Sequence, residues 1–88
     1  NVIITLGEKG CLHVSKDEFM KYDAFKVDAV DTTAAGDSFI GGFCANYLIT
    51  EDIKEAIVFG QKTAALSVTK YGAQSSIPTL EEFEEFWR

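Results

Sequence analysis

The sequence predicts an α/β fold, and three patterns support that prediction. A run of β-branched and apolar residues, Val2–Leu6, predicts a strand covered on both faces, as in a parallel sheet. Two long apolar stretches further along the chain have the spacing of helices. The 88 residues suffice for one compact domain and not for two. Because a covered strand needs neighbours and few other strands are predicted, we expect the chain to be part of a larger α/β domain.

The first half of the chain predicts short strands joined by turns. Gly7 ends the first strand, and Glu8–Gly10 predicts a turn. Cys11–Ser15 then predicts a second strand, which would form a hairpin with the first at the edge of a sheet. Segments 19–22 and 25–27 predict one or two further short strands.

The second half predicts three helices. Ser38–Leu48 is apolar nearly all round, which indicates a buried helix. Thr50–Asp52 provides an N-terminal cap for a second helix, expected to run to about Tyr71 and to be stopped by Gly72. Its predicted apolar stripe consists of Ile53, Ala56, Ile57, Gly60 and Ala64.

A short last helix is predicted to begin after Thr79, which is a capping residue. Leu80, Phe83 and Trp87 recur in it at helical spacing. The acids in Glu81–Glu85 are expected to form its solvated face.

Composition excludes several classes of protein. Mean hydropathy is +0.03 and the longest uncharged apolar stretch is too short to cross a bilayer, so we expect a cytoplasmic globular piece without a membrane partner. The net charge of −6 and the absence of clustered Lys and Arg argue against a nucleic-acid partner. Cys11 and Cys44 have neither metal-ligand spacing nor a nearby partner and are expected to be buried, reduced thiols.

The small-residue loop before Ser38 carries the chemistry. It leads into the start of a helix, where backbone amides lack intrahelical partners and can bind an anion. Asp37 stands there, and its carboxylate could be a helix cap or a general base that takes a proton from a substrate hydroxyl. Asp31 could fix the loop through backbone hydrogen bonds or could contact a ligand. No Lys or Arg occurs from Val27 to Ile53, so charge neutralisation is expected from amides, metal ions or residues outside the chain.

Three motifs occur in order along the chain: Thr5–Gly7 with Gly10, Asp31–Phe39, and Gly72–Gln74 with Ser76 and Pro78. Together they resemble the C-terminal portion of the ribokinase/PfkB carbohydrate kinases, whose second signature contains Asp-Thr, small residues, Gly-Asp and an aromatic residue. The resemblance covers essentially residues 1–88. It implies a ribokinase-like three-layer sandwich, of which this chain would be the C-terminal part on the nucleotide and phosphoryl-transfer side.

The resemblance also implies an activity, the ATP-dependent phosphorylation of a sugar hydroxyl by a ribokinase- or fructokinase-like enzyme. Asp37 matches the family's catalytic base, which deprotonates the sugar hydroxyl for attack on the γ-phosphate of ATP. The anion hole is matched by the amides of Ala34, Ala35, Gly36 and Asp37.

Further residues match ligand positions of the family. Asp31 and Thr33 match positions that bind a monovalent cation, usually K⁺, in ribokinase-like members, and the Gly72–Ser76 loop would supply further oxygens from Gly72 and Ser76. The region around the nucleotide is matched by Thr5, Gly7, Gln61 and Ala65. ATP and Mg²⁺ are therefore the implied cofactors, and a small sugar or sugar-like alcohol is the implied substrate.

Two alternatives remain at this point. The chain could be a non-catalytic module that binds a nucleotide or anion at the same helix start, although a pure binder gains little from a carboxylate beside bound phosphate. It could instead be a structural half-domain that complements another chain or forms a homodimer, for which an exposed apolar sheet edge would be the expected sign. The family's sugar-binding motifs are absent from these residues, so the isolated chain is expected to be inactive.

Overall fold

The computed structural model of the chain describes residues 1–27, 32, 35–69 and 79–87. The elements in chain order are β1 (Val2–Thr5), a 3₁₀ turn (Gly7–Lys9), β2 (Cys11–Val14), β3 (Phe19–Tyr22), α1 (Ala35–Thr50), α2 (Ile53–Ser67) and α3 (Leu80–Phe86).

The three strands form an antiparallel sheet in the order β1-β2-β3. The predicted hairpin is confirmed, with Val2 opposite Val14 and Thr5 opposite Cys11. The expectation that β1 is covered on both faces is wrong for the described part of the chain, where Val2 is 56% and Ile4 46% exposed. The reason is that side chains alternate between the two faces of the strand: Ile3 packs against the core, whereas Val2 and Ile4 lie on the opposite face. Segment 25–27 forms no strand.

The turn between β1 and β2 approaches the end of β3 closely. The Leu6 amide donates to the Gly10 carbonyl over 2.8 Å, and Gly10 has a φ of +97°. A Cβ atom on Gly10 would overlap the carbonyl oxygen of Tyr22. This position therefore requires glycine for both its backbone conformation and its contact.

α1 begins three residues before the predicted helix and packs on α2 with one face. Its buried residues are Ser38, Phe39 and Gly42, whereas Leu48 is 83% and Ile49 85% exposed. The expectation of a helix buried all round is therefore wrong for the described residues, because α2 is the helix among them that covers α1. Phe43 is also partly buried against the core, whereas Ile40 faces outward together with Leu48 and Ile49.

α2 starts as predicted and ends earlier. The Asp52 carboxylate caps it by accepting from the Glu55 amide over 3.1 Å. The predicted stripe is confirmed, with Ala56, Ile57 and Gly60 buried and Ile53 and Ala64 partly buried. The expected end near Tyr71 is wrong.

Hydroxyl side chains accompany the end of α2 at Ser67. The Ser67 hydroxyl donates to the Ala64 carbonyl over 2.8 Å, and the Thr69 hydroxyl donates to the Leu66 carbonyl over 2.7 Å. Such residues compete with backbone amides for the last carbonyls and are poor helix formers. Gly72, the predicted stop, lies outside the described residues.

α3 has the predicted start and docks on α2. Thr79 and Glu82 form a capping box, with the Glu82 amide 3.2 Å from the Thr79 hydroxyl. The Phe83 ring stacks on Phe59 at a centroid distance of 4.3 Å. None of the described helices is long and apolar enough to span a membrane.

The core lies where the sheet meets α1 and α2 and is built around Cys11, Phe39 and Ile57. Burial raises the pKa of the Cys11 thiol, because the thiolate would lose its hydration. Cys44 is also a free thiol, but it is exposed, so the expectation that it is buried is wrong. It lies on the part of α1 that α2 does not cover.

Candidate functional site

A cavity of about 670 Å³ joins the β1–β2 turn, the segment after β3, the start of α1 and the inner face of α2. The fold brings all four predicted nucleotide residues to its wall: Thr5, Gly7, Gln61 and Ala65. Ala35 and Gly36, at the start of α1, line the same cavity. Residues far apart in the sequence thus meet at one concave site of the size typical for small-molecule ligands.

The start of α1 gives this cavity its anion-binding character. The Ala35 amide donates to the Thr32 carbonyl over 3.2 Å, and the amides of Gly36 and Asp37 follow it in the first turn of α1, where amides have no acceptor within the helix. A Cβ on Gly36 would meet no atom of the described residues within 4 Å, which leaves space beside that amide on their side. Amides without an acceptor inside the helix and the positive end of the helix dipole favour a negatively charged ligand here.

Asp37 lies inside the first turn of α1, as the third helical residue. Asp37 is exposed to solvent, and the residue before it, Gly36, lines the cavity. Because α1 begins at Ala35, the capping position falls before Asp37, and the carboxylate is therefore not the N-cap. An exposed carboxylate beside an anion site can accept a proton from a bound hydroxyl group.

Among the residues that the structure describes, three with charged side chains line the cavity: Glu8, Lys9 and Lys26. The sequence expectation that neutralising charge has to come from amides, metal ions or other chains is therefore incomplete, since Lys9 and Lys26 are within this chain. Neither lysine forms an ion pair with a described residue. Each is thus able to interact with an anionic ligand in the cavity.

Gln61 links the two sides of the cavity wall. It is buried, and its Nε2 atom donates to the Tyr22 carbonyl oxygen over 3.2 Å. Tyr22 is the last residue of β3, so this bond ties the segment that follows β3 to α2. Because Nε2 is engaged, the side chain is held in place at the cavity wall.

Sequence analysis missed part of the wall. The residues it did not single out include Lys9, Phe25, Lys26 and Val68. They belong to a turn, an irregular segment and the end of α2, where no local pattern indicates a shared cavity. A signal was available in Lys26, which is the last basic residue before the stretch from Val27 to Ile53 that contains no Lys or Arg.

The remaining predicted site residues lie outside the described part of the chain. They are Ala34 of the anion hole and the four cation positions Asp31, Thr33, Gly72 and Ser76. Within residues 1–27, 32, 35–69 and 79–87, no three His, Cys, Asp or Glu side chains come together as a metal site would require.

Comparison with known proteins identifies the family. Residues 1–80 match the family described as pfkB family carbohydrate kinase, so the chain belongs to this family of sugar kinases. A ribokinase of Haemophilus influenzae is 54% identical over 85 residues, which is 97% of this chain and 28% of that protein. A ribokinase of Staphylococcus aureus is 47% identical over 85 residues, which is 96% of this chain and 28% of that protein. The predicted family is confirmed, and the chain spans about three tenths of these relatives.

Solved structures confirm the ribokinase-like fold. The ribokinase of Thermotoga maritima matches 99% of this chain and 29% of its own, with a TM-score of 0.93 and 53% identity. An aminoimidazole riboside kinase from Salmonella enterica, complexed with aminoimidazole riboside and an ATP analogue, matches 97% of this chain and 30% of its own (TM-score 0.89, 32% identity). A fructokinase double mutant from Vibrio cholerae, bound to fructose, ADP and a potassium ion, matches 98% and 30% (TM-score 0.85, 27% identity).

Proposed function

We propose that this chain forms the nucleotide and phosphoryl-transfer part of a kinase that uses ATP to phosphorylate a hydroxyl group of a sugar or sugar-like alcohol. The observation that carries the proposal is the cavity, which combines Thr5, Gly7, Gln61 and Ala65 with the start of α1. Because the chain spans 28% of the curated relatives, the sugar pocket belongs to the rest of a longer protein. The 88 residues alone are accordingly expected to be inactive.

The cavity fits a nucleotide by size and by chemistry. Its wall includes an aromatic ring, Phe25, and small apolar residues of α2, which suit a planar base. Ala35 and Gly36 at the start of α1 line the cavity together with Lys9 and Lys26, which suits phosphate groups. The kinase that is 32% identical binds an ATP analogue, which supports the same ligand class here.

Asp37 would be the general base. It stands one residue after Gly36, so a phosphoryl group held at the α1 amides lies close to the carboxylate. In the proposed reaction Asp37 accepts the proton of the sugar hydroxyl while that oxygen bonds to the γ-phosphorus and the bond to the ADP oxygen breaks. The amides of Gly36 and Asp37 stabilise the negative charge on the transferring group.

Metal ions complete the proposal. Mg²⁺ bound to the ATP phosphates would neutralise charge that develops during transfer. K⁺ would be held by oxygens of Asp31, Thr33, Gly72 and Ser76, an assignment carried by the family resemblance and supported by the fructokinase with bound potassium.

A cytoplasmic location suits the two free thiols, since a reducing compartment keeps them unpaired.

The test is ATP-dependent phosphorylation of a panel of sugars and nucleosides by the full-length protein, with and without K⁺. Asp37→Asn is expected to lower kcat about 100-fold or more, because a general base contributes a factor of this order, while ADP binding persists. Asp17→Asn is the matched control, since it removes the same charge from an exposed turn that does not line the cavity. Nucleotide binding without turnover, or a harmless Asp37→Asn, would instead favour the non-catalytic module.

A further inference from the structure

The segment that follows β3 forms one wall of the cavity without regular secondary structure. Ala24, Phe25, Lys26 and Val27 all line the cavity, and none of them belongs to a helix or strand. A wall of this kind keeps its shape only if side chains hold it in place. The Gln61 bond to the Tyr22 carbonyl holds its beginning.

Two side chains, those of Lys62 and Trp87, hold Phe25. The Lys62 ammonium lies 5.7 Å from the ring centroid of Phe25 and 5.5 Å from that of Trp87, so one cation contacts two aromatic rings. The two rings also contact each other edge to face, with centroids 5.0 Å apart and an interplanar angle of 62°. Phe25 thereby contacts both Lys62 on α2 and Trp87, the residue that follows α3.

The position of Trp87 is fixed independently of Phe25. Its indole N–H donates to the Lys62 carbonyl over 3.1 Å, which ties the residue after α3 to the backbone of α2. The stacking of Phe83 on Phe59 docks the middle of α3 on the same helix. Trp87 does not line the cavity, so any effect it has on a ligand is exerted through Phe25.

We propose that Trp87 and Lys62 are positioning residues for nucleotide binding, because they hold the ring of Phe25 as a wall of the cavity. The proposal rests on the proposed function, in which this cavity receives ATP. It assigns the short C-terminal helix a role in nucleotide affinity although α3 contacts no part of the cavity. The sugar site and the base Asp37 are not involved, so the effect is specific to the nucleotide.

The test measures ADP binding to the full-length protein by calorimetry in the presence of Mg²⁺, and the KM values for ATP and for the sugar. Trp87→Ala and Lys62→Met are expected to raise the Kd for ADP and the KM for ATP about five-fold or more, by removing cation–π contacts. The KM for the sugar and kcat at saturating ATP should stay within about two-fold, since neither residue acts on the transferring group.

Conservative variants separate positioning from general stability. Lys62→Arg keeps the cation between the rings and is expected to retain nucleotide affinity, whereas Trp87→Phe keeps a ring but loses the N–H donor and should give an intermediate value. Leu80→Ala is the matched control on α3, because Leu80 is 64% exposed and should leave ADP binding unchanged. If Trp87→Ala fails to fold, the comparison of the Kd for ADP between Lys62→Met and Lys62→Arg still tests the positioning role.

The outcomes separate this proposal from the proposed function. An unchanged Kd for ADP in Lys62→Met and Trp87→Phe, with activity intact, would overturn the positioning role alone. An equal rise in the KM for the sugar would also overturn it. If the unmodified protein binds ADP but phosphorylates no sugar, the proposed function fails while the binding series still tests the role of Trp87. Absence of ADP binding by the unmodified protein would overturn both.

Discussion

At Gly10 a single hydrogen in place of a side chain lets the β1–β2 turn lie against the end of β3. The backbone has a φ of +97°, and a Cβ atom would overlap the Tyr22 carbonyl oxygen. Gly7 in the same turn also has a positive φ, +60°, but a Cβ there would meet no described atom within 4 Å. The two glycines therefore separate the cost of the backbone conformation from the cost of the contact.

We expect Gly10→Ala to lower the free energy of unfolding by about 3 kcal/mol, since it combines a strained φ with overpacking against backbone. Gly7→Ala should cost only about 1 kcal/mol, because the strained φ is its one penalty. Guanidinium unfolding of both variants without nucleotide measures the difference. Equal losses would show that the turn moves away from Tyr22 at little cost.

Helices α1 and α2 cross closely at two glycines. A Cβ on Gly42 would overlap the Thr63 hydroxyl oxygen, and one on Gly60 would lie 2.9 Å from the Phe39 carbonyl oxygen. α1 carries Gly36 and Asp37, and α2 carries Gln61 and Ala65. The crossing therefore sets the distance between the anion site and the predicted nucleotide residues.

We expect Gly42→Ala to lower the free energy of unfolding by about 1–3 kcal/mol, because the added methyl group overpacks the helix crossing. Gly41→Ala is the control on the same helix, where a Cβ meets nothing within 4 Å of the described residues. It should stabilise α1 by up to about 1 kcal/mol through helix propensity. Urea unfolding of the two variants measures the difference. A higher free energy of unfolding in both would contradict a close crossing of α1 and α2 at Gly42.

Local signals in the sequence predicted the starts of α2 and α3. Asp52 and Thr79 both cap helices where expected, because a capping residue acts within three residues of itself. The predicted end of α2 was too late in the sequence, because the helix ends at Ser67, where hydroxyl residues rather than a glycine stand at its terminus. The Ser-Val-Thr sequence there was a usable signal, since these residues favour the ends of helices.

The cavity was predictable only through the family resemblance. The contacts that assemble it, such as Gln61 with Tyr22, join residues 39 positions apart, and no periodicity reports such pairs. For the same reason Lys9, Phe25 and Lys26 were missed, although each lies in a segment that sequence analysis considered. The loop residues Asp31 and Thr33 lie outside the described part, and their cation role stays a prediction.

At the scale of the whole molecule, several large apolar side chains among the described residues are exposed to solvent. Large apolar side chains on β1 and α1 face outward: Val2, Ile4, Ile40, Leu48 and Ile49. The relatives are more than three times longer than the chain, so the matching surface in them has further protein available to cover it. The same surface is what the half-domain alternative expects, so exposure alone does not distinguish the two.

We expect the 88-residue chain on its own to self-associate at micromolar concentration, because exposed apolar patches of this kind drive association. Leu48→Lys should shift it towards monomer in sedimentation velocity. Glu84→Gln is the control, because it changes the net charge by the same amount at an exposed site on α3. A monomeric unmodified chain would contradict the expectation.

Trp87 has one more consequence, because it is the single tryptophan of the chain. With its N–H donated to the Lys62 carbonyl and its ring against Phe25, the indole is held in a partly apolar setting. Its ultraviolet emission therefore differs from that of an indole in water. The colour of the light that this chain emits thus reports, without any attached dye, whether α3 is seated on α2.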